Sequence, residues 1–323
     1  MRGRIIKGLG GLYEVSAENE DGGIIFAKPR GVFRNRDIKP FIGDICEIGE
    51  ITRGAGKTPD NPAVIAEILP RKNLLPRPPA ANIDNILIVA DVSRIESEMP
   101  LLTRRLVYFE SIARKAGNIR ILIAATKRDL VTRAEDYEKR GLREFFDLYE
   151  SRRYYRKYWT SMTAGRLRAV KSRYAARLYG RTTLLAGSSG AGKSTLVNAL
   201  TGTERAETGE VGKGSRGRQT TRHVELIPLP LGKTAGSFIL DTPGFSSVDL
   251  SGVTRGELPG LFPEFRPFLG KCGFRDCRHV NEPGCAVREK VAYSVTDAHI
   301  SRANGEISTE RYESYLKLYE QLQ

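Results

Sequence analysis

Cysteine is scarce in this chain, long apolar runs are missing, and acidic residues are outnumbered. Each shortage excludes something. The four cysteines are Cys46, Cys272, Cys277 and Cys285, far too few for a disulfide-stapled scaffold of 323 residues. No apolar run approaches the ~18 residues of a membrane span. The opening Met1-Arg2-Gly3-Arg4-Ile5-Ile6-Lys7-Gly8 lacks both an apolar signal core and Arg/Ser-rich transit character, so a cytoplasmic protein is expected. Against 52 Lys and Arg stand only 38 Asp and Glu, a net charge of +14. That excess points to a polyanionic partner, nucleic acid first. Internal repeats and low-complexity tracts are also missing.

The length allows two or three domains, and 40% hydrophobic residues can fill their cores. Residues 1–72 are Gly-rich, with short β-type runs at 11–15, 24–27, 44–48 and 63–68. Their spacing and turn residues predict a small all-β barrel of the oligonucleotide-binding kind. Lys28, Arg30, Arg34, Arg36 and Lys39 form either one basic side of it or a solvated loop. Cys46 has no partner pattern and reads as a small core residue. Four prolines in 70–82 forbid helix and mark a boundary. From 73 to 248 strand and helix patterns alternate. Strands are predicted at 83–90, 120–125, 154–160, 182–186, 224–227 and 237–240, and helices at 101–116, 134–150, 165–179 and after 195. This alternation predicts a doubly wound α/β sheet. From 249 to 323 it stops. Helical pieces surround the remaining cysteines, and a terminal helix starting near Ser308 carries Tyr312, Tyr315, Leu316 and Tyr319 on one side.

The stretch Gly187-Ser188-Ser189-Gly190-Ala191-Gly192-Lys193-Ser194-Thr195 fits the phosphate-loop pattern G-x-x-x-x-G-K-[ST] between a strand and a helix. Its glycines let backbone N–H groups face a phosphate, Lys193 reaches the β- and γ-phosphates, and Ser194 holds Mg²⁺. Gly56-Lys57-Thr58 is a decoy, with Ile51 where the first glycine belongs. Asp241-Thr242-Pro243-Gly244 follows its own strand, with Asp241 suited to Mg²⁺ and Gly244 to a γ-phosphate. Thr126-Lys127-Arg128-Asp129 resembles the guanine selector N-K-x-D, with Thr126 in place of Asn. Asp129 can accept two hydrogen bonds from guanine that adenine cannot supply. All three motifs end strands, where ligands of open α/β sheets bind.

Their order is unusual. Ordinary GTPases run phosphate loop, D-x-x-G, then N-K-x-D. Here the selector comes first, so the fold is a circular permutation. Together with Gly217-Arg218-Gln219-Thr220-Thr221-Arg222-His223 and the cluster Cys272/Cys277/His279/Cys285, these motifs make the chain resemble the circularly permuted, ribosome small-subunit-dependent GTPases over nearly its whole length. The resemblance implies GTP hydrolysis to GDP and phosphate, stimulated by the small ribosomal subunit and its rRNA during late assembly. It also implies a barrel at 1–72, a GTPase domain at 73–248 and a zinc-binding helical domain at 249–323, in a chain expected to be monomeric.

Phe245 follows Gly244 where many GTPases keep a water-positioning Gln. His223 is the replacement candidate, since an imidazole can hydrogen-bond a water and titrates near neutral pH. Thr220 or Thr221 should complete the Mg²⁺ shell. Cys272, Cys277, His279 and Cys285 offer three thiolates and one imidazole, a closed set for one structural Zn²⁺. Ten Lys/Arg and no acidic residue occur between 151 and 181, among Tyr154, Tyr155, Tyr158 and Trp159. That stretch reads as an rRNA contact or a solvated face. Lys213, Arg216, Arg218 and Arg222 make the 211–223 loop basic as well. Two competing readings are a P-loop ATPase, which Asp129 opposes, and a non-catalytic RNA-binding module, which Phe245 favours.

Overall fold

In the computed structural model the described residues are 1–18, 23–31, 33, 38–49, 55–127, 130–131, 157–160, 174–202, 224–230, 236–241, 248–292 and 307–322. Arg34, Arg36, Arg128, Asp129, Thr220, Thr221, His223, Gly244, Phe245, the predicted 134–150 helix and most of the basic 151–181 stretch lie outside them.

Strands β1 (Arg2–Leu9), β2 (Leu12–Ala17), β3 (Ile24–Pro29), β4 (Ile45–Ile48) and β5 (Ala63–Ile68) close a barrel in the order β1-β2-β3-β5-β4. Alternate residues point inward, and Ile5, Val15, Ala27, Cys46, Ile48 and Ile65 fill the interior. Four of these strands carry the predicted β-type runs. β1 was not predicted, because Gly3, Gly8 and Lys7 interrupt its apolar alternation. Cys46 is fully buried, and burial first, then Asp44, pushes its thiol up to about 12.

The proline-rich stretch contains no helix, as expected, and folds as a hairpin of β6 (Leu74–Pro76) and β7 (Pro79–Ala81). Leu75 and Ala80 are buried against the main sheet. Asn82 ties the hairpin back to the barrel, donating from Nδ2 to the Gly43 carbonyl at 3.0 Å. Arg71 adds a two-pronged pair to the buried Asp44, 2.7 Å from Oδ1 and 2.8 Å from Oδ2.

The central sheet contains β8 (Asn85–Asp91), β9 (Arg120–Thr126), β10 (Lys157–Thr160), β11 (Thr182–Gly187), β12 (Glu225–Leu229) and β13 (Ser237–Asp241), in the order β10-β9-β8-β11-β13-β12. All neighbours are parallel except the antiparallel edge strand β12. β8 is buried along its whole length, which explains its continuous apolar run. Helix α1 (Ile95–Ala116) covers one face through Leu102, Leu106 and Phe109. Helix α2 (Lys193–Thr201) and the helical residues 174–178 cover the other, with Tyr174, Leu178, Leu196 and Val197. α1 begins six residues before the predicted 101. Pro100 reads as a break in sequence, yet it removes only one backbone bond near the start of a 22-residue helix.

The outer side of α1 meets the C-terminal region. Val107 joins Phe262, Phe265, Tyr312 and Tyr315 in a separate core. The helical pieces here are 3-10 turns at Leu258–Leu261 and Arg288–Lys290, followed by α3 (Thr309–Gln321). α3 starts directly after Ser308, where an N-cap was predicted. It buries Leu318 in addition to Tyr312 and Tyr315, while Leu316 and Tyr319 are only partly covered.

Candidate functional site

β11 ends at Gly187, which pairs with Val89 of β8. A Cβ at Gly187 would stand 2.4 Å from the Val89 carbonyl oxygen, so no other residue fits this turn out of the sheet. Gly192 at φ 94 opens α2 without a side-chain cap. The first-turn N–H groups therefore remain available to an anion, whose charge the helix dipole favours. Lys193 reaches back across the loop, its ammonium donating to the carbonyls of Gly187 at 2.9 Å and Ser188 at 2.8 Å.

Thr126 ends β9 fully buried. Its hydroxyl lies 2.6 Å from the carbonyl oxygen of Ala191, inside the phosphate loop, and 3.0 Å from that of Ala90. The residue standing where N-K-x-D has Asn is thus tied directly to the loop. Lys127 takes a left-handed conformation at φ 58 and places its ammonium 2.8 Å from Asp91 Oδ2. Asp91, at the end of β8, also accepts from the Ser93 amide at 3.0 Å and the Ser93 hydroxyl at 2.6 Å. Burial pushes this carboxyl up, but the bonds from Lys127 and Ser93 outweigh it and hold it below the ordinary carboxylate value. Asp241 ends β13, half-buried and in register with Leu185 of β11. Four adjacent parallel strands therefore bring Thr126-Lys127, Asp91, the 187–195 loop and Asp241 to one edge of the sheet.

Sequence reasoning missed Asp91 and Glu98. The only available signal for Asp91 was an acid closing a buried strand beside the selector strand. Glu98 carries no local signal at all: it contacts the loop from 90 positions away, accepting from the Ser188 hydroxyl at 2.7 Å.

The second cluster lies in the C-terminal region. One donor atom each from Cys272, Cys277, His279 and Cys285 lies within 4.8 Å of the others. His279 Nδ1 is 3.5 Å from the sulfurs of Cys272 and Cys277 and 3.3 Å from that of Cys285. A tetrahedron with ordinary Zn–S and Zn–N bonds has N···S edges of about 3.6 Å, so the set fits one tetrahedral metal ion. His279 is held at φ 59, a left-handed turn. Tyr312 fixes that turn by donating to the His279 carbonyl at 2.9 Å, and Tyr315 donates to the Arg278 carbonyl. The Glu282 carboxylate accepts from the amides of Arg278, Val280 and Asn281. Burial opposes its charge, but these backbone bonds win and bring its pKa down to about 2. The four donors leave no fifth protein ligand among the described residues, consistent with a structural ion.

Comparison with known proteins places the whole chain in a family. The family described as RsgA GTPase matches residues 68–251, and the RsgA N-terminal domain matches residues 2–57. The small ribosomal subunit biogenesis GTPase RsgA of Latilactobacillus sakei is 36% identical, over 99% of this chain and 95% of that protein. Its counterpart from Halalkalibacterium halodurans is 37% identical, over 99% and 97%. Among solved structures, YloQ, a circularly permuted GTPase, superposes with a TM-score of 0.71 at 28% identity, covering 99% of this chain and 94% of that one. YjeQ from Thermotoga maritima gives 0.70 at 30% identity, covering 99% and 98%.

Proposed function

The chain belongs to the RsgA GTPase family, whose members are GTP hydrolases, and from that premise we propose that it binds the small ribosomal subunit and its rRNA and hydrolyses GTP there in late assembly, as a cytoplasmic monomer stimulated by the subunit. The observation that carries this reading is the 2.6 Å bond from Thr126 to Ala191, which joins selector strand and phosphate loop at one edge of the sheet despite the permuted chain order.

In this mechanism the N–H groups of the 187–195 loop and the start of α2 wrap the phosphates, and Lys193 neutralises charge developing on the γ-phosphoryl oxygens. Asp129 selects guanine, with Thr126, Lys127 and Arg128 setting its loop. Ser194, Asp241 and one of Thr220 or Thr221 would hold Mg²⁺, which would neutralise phosphate charge. His223 orients the attacking water, since Phe245 has no group to do so, and Gly244 senses the γ-phosphate. The family relationship supports the first expectation over the ATPase and the non-catalytic readings. Cys272, Cys277, His279 and Cys285 would hold one Zn²⁺, which cross-links the C-terminal region and serves folding.

The basic residues between 151 and 181 and in the 211–223 loop are assigned to rRNA phosphates. Phosphate release from GTP, with and without purified small subunits, tests the partner. At least a tenfold stimulation is expected, on the general scale of ~10³–10⁵ for a supplied catalytic group. An unchanged rate contradicts the proposal.

A further inference from the structure

The structure assigns Glu98 as a positioning residue of the phosphate loop, with Arg105 as its buried counter-charge. This rests on the nucleotide-site reading above. Glu98 lies one turn inside α1 and is 7% exposed. Its Oε2 accepts from the Ser188 hydroxyl at 2.7 Å and stands 3.7 Å from Arg105 Nη1. Ser188 itself is 8% exposed, and Arg105 is 1% exposed.

Ser188 is the second residue of the loop, and its carbonyl oxygen has two tasks. It accepts from the Lys193 ammonium at 2.8 Å and from the Ala191 amide at 3.2 Å. The Ala191 carbonyl is in turn the acceptor for Thr126. Glu98 therefore grips the one loop residue from which Lys193 and Ala191 are both hung. A carboxylate beneath a polyphosphate site would by itself repel the ligand. Arg105, one residue beyond Arg104 on the same helix, cancels that charge in place. Burial pulls the Arg105 guanidinium below its ordinary value, and Glu98 opposes that shift.

The consequence is specific. The Glu98–Ser188 contact acts on nucleotide affinity through loop geometry. Glu98→Ala leaves a buried hydroxyl without its acceptor and frees Ser188. Equilibrium titration with fluorescent GDP and Mg²⁺ on the full chain should then show Kd raised about tenfold, the scale of a charge-assisted bond. Ser188→Ala removes the same contact from the loop side and should give a similar rise. The double variant should be no weaker than Glu98→Ala, which already breaks the Ser188 bond along with the Arg105 pair. Glu98→Gln keeps an acceptor oxygen and should bring Kd back to within about threefold of the parent. In subunit-stimulated turnover the larger change should fall on KM, with any smaller loss in kcat reporting the shift of Lys193.

Additive effects in the double variant, or Glu98→Gln as damaging as Glu98→Ala, would overturn the assignment. If Glu98→Ala does not fold, Ser188→Ala with unchanged Kd overturns it alone. Parent protein that binds no guanine nucleotide refutes the nucleotide-site reading, and the assignment with it. Parent binding with unaffected variants refutes only the assignment.

Discussion

Replacing Arg311 by Met should break the joint between the C-terminal helix and the GTPase core. Arg311 is 1% exposed and Glu264 is fully buried. Arg311 Nε donates to Glu264 Oε1 at 2.6 Å, Nη1 donates to the Thr103 hydroxyl at 2.8 Å, and the guanidinium lies 4.6 Å from the centre of the Phe262 ring. Thr103 is on α1, so one arginine joins α3, the Phe262 turn and α1. Removing it leaves a buried carboxylate whose Oε2 has no hydrogen-bond partner among the described residues. Breaking one side of a buried pair costs about 3–5 kcal/mol, whereas replacing both partners by apolar residues of like volume is often neutral. Arg311→Met should therefore lower the urea midpoint of the C-terminal transition by about 1–2 M, taking an m-value of ~2–3 kcal/mol/M. Arg311→Met combined with Glu264→Leu should recover more than half of that loss. Intrinsic tyrosine fluorescence follows the transition, since Tyr312 and Tyr315 pack in this core. A shift below about 0.3 M for Arg311→Met, or a double variant worse than the single, would refute the reasoning.

Three further outcomes follow from the same geometry. Chelation of the metal, or Cys285→Ala, should abolish the near-UV signal of the C-terminal tyrosines, and parent protein should carry one equivalent of zinc; a fully structured metal-free chain would contradict this. Asp91 has a folded pKa below its unfolded value, so its contribution to stability is present above about pH 4 and is lost as pH falls further through the folded value. Asp91→Asn should accordingly flatten the fall in urea midpoint between about pH 5 and pH 3, and an identical acid limb in the variant would exclude the role. Cys46, raised to about 12 inside the barrel, should stay unreactive toward a thiol reagent at pH 8 until the barrel unfolds; rapid labelling of the native chain would show the barrel interior to be open.

Much of the fold was legible because its signals are local. β8 and β9 show as continuous apolar runs because both are central strands of a parallel sheet. The 187–195 loop shows because Gly187 has no room for a side chain against Val89 and Gly192 sits at a left-handed helix start. The four candidate metal donors fall within fourteen residues, and that density together with the family resemblance exposed them, since the spacing lacks the usual C-x₂-C start. What stayed hidden is long-range. Glu98 meets Ser188, Arg311 meets Thr103 and Arg4 meets Thr182 across at least 90 positions each, and no periodicity encodes such pairs. β1 was hidden for the opposite reason: its pattern is local but interrupted by two glycines, and closure of the barrel on β2 and β4 stabilises it. The hairpin of β6 and β7 escaped because four prolines read as a linker, while burial of Leu75, Ala80 and Ala81 makes it part of the core.

The most direct test of the nucleotide site compares phosphate release from GTP and from ATP by the parent chain and by Lys193→Ala, all in the presence of small ribosomal subunits. The account predicts turnover of GTP only, and loss of at least a hundredfold in Lys193→Ala, a scale set by removing one charged stabilising group. Equal turnover of ATP, or a Lys193→Ala variant as active as the parent, would contradict it.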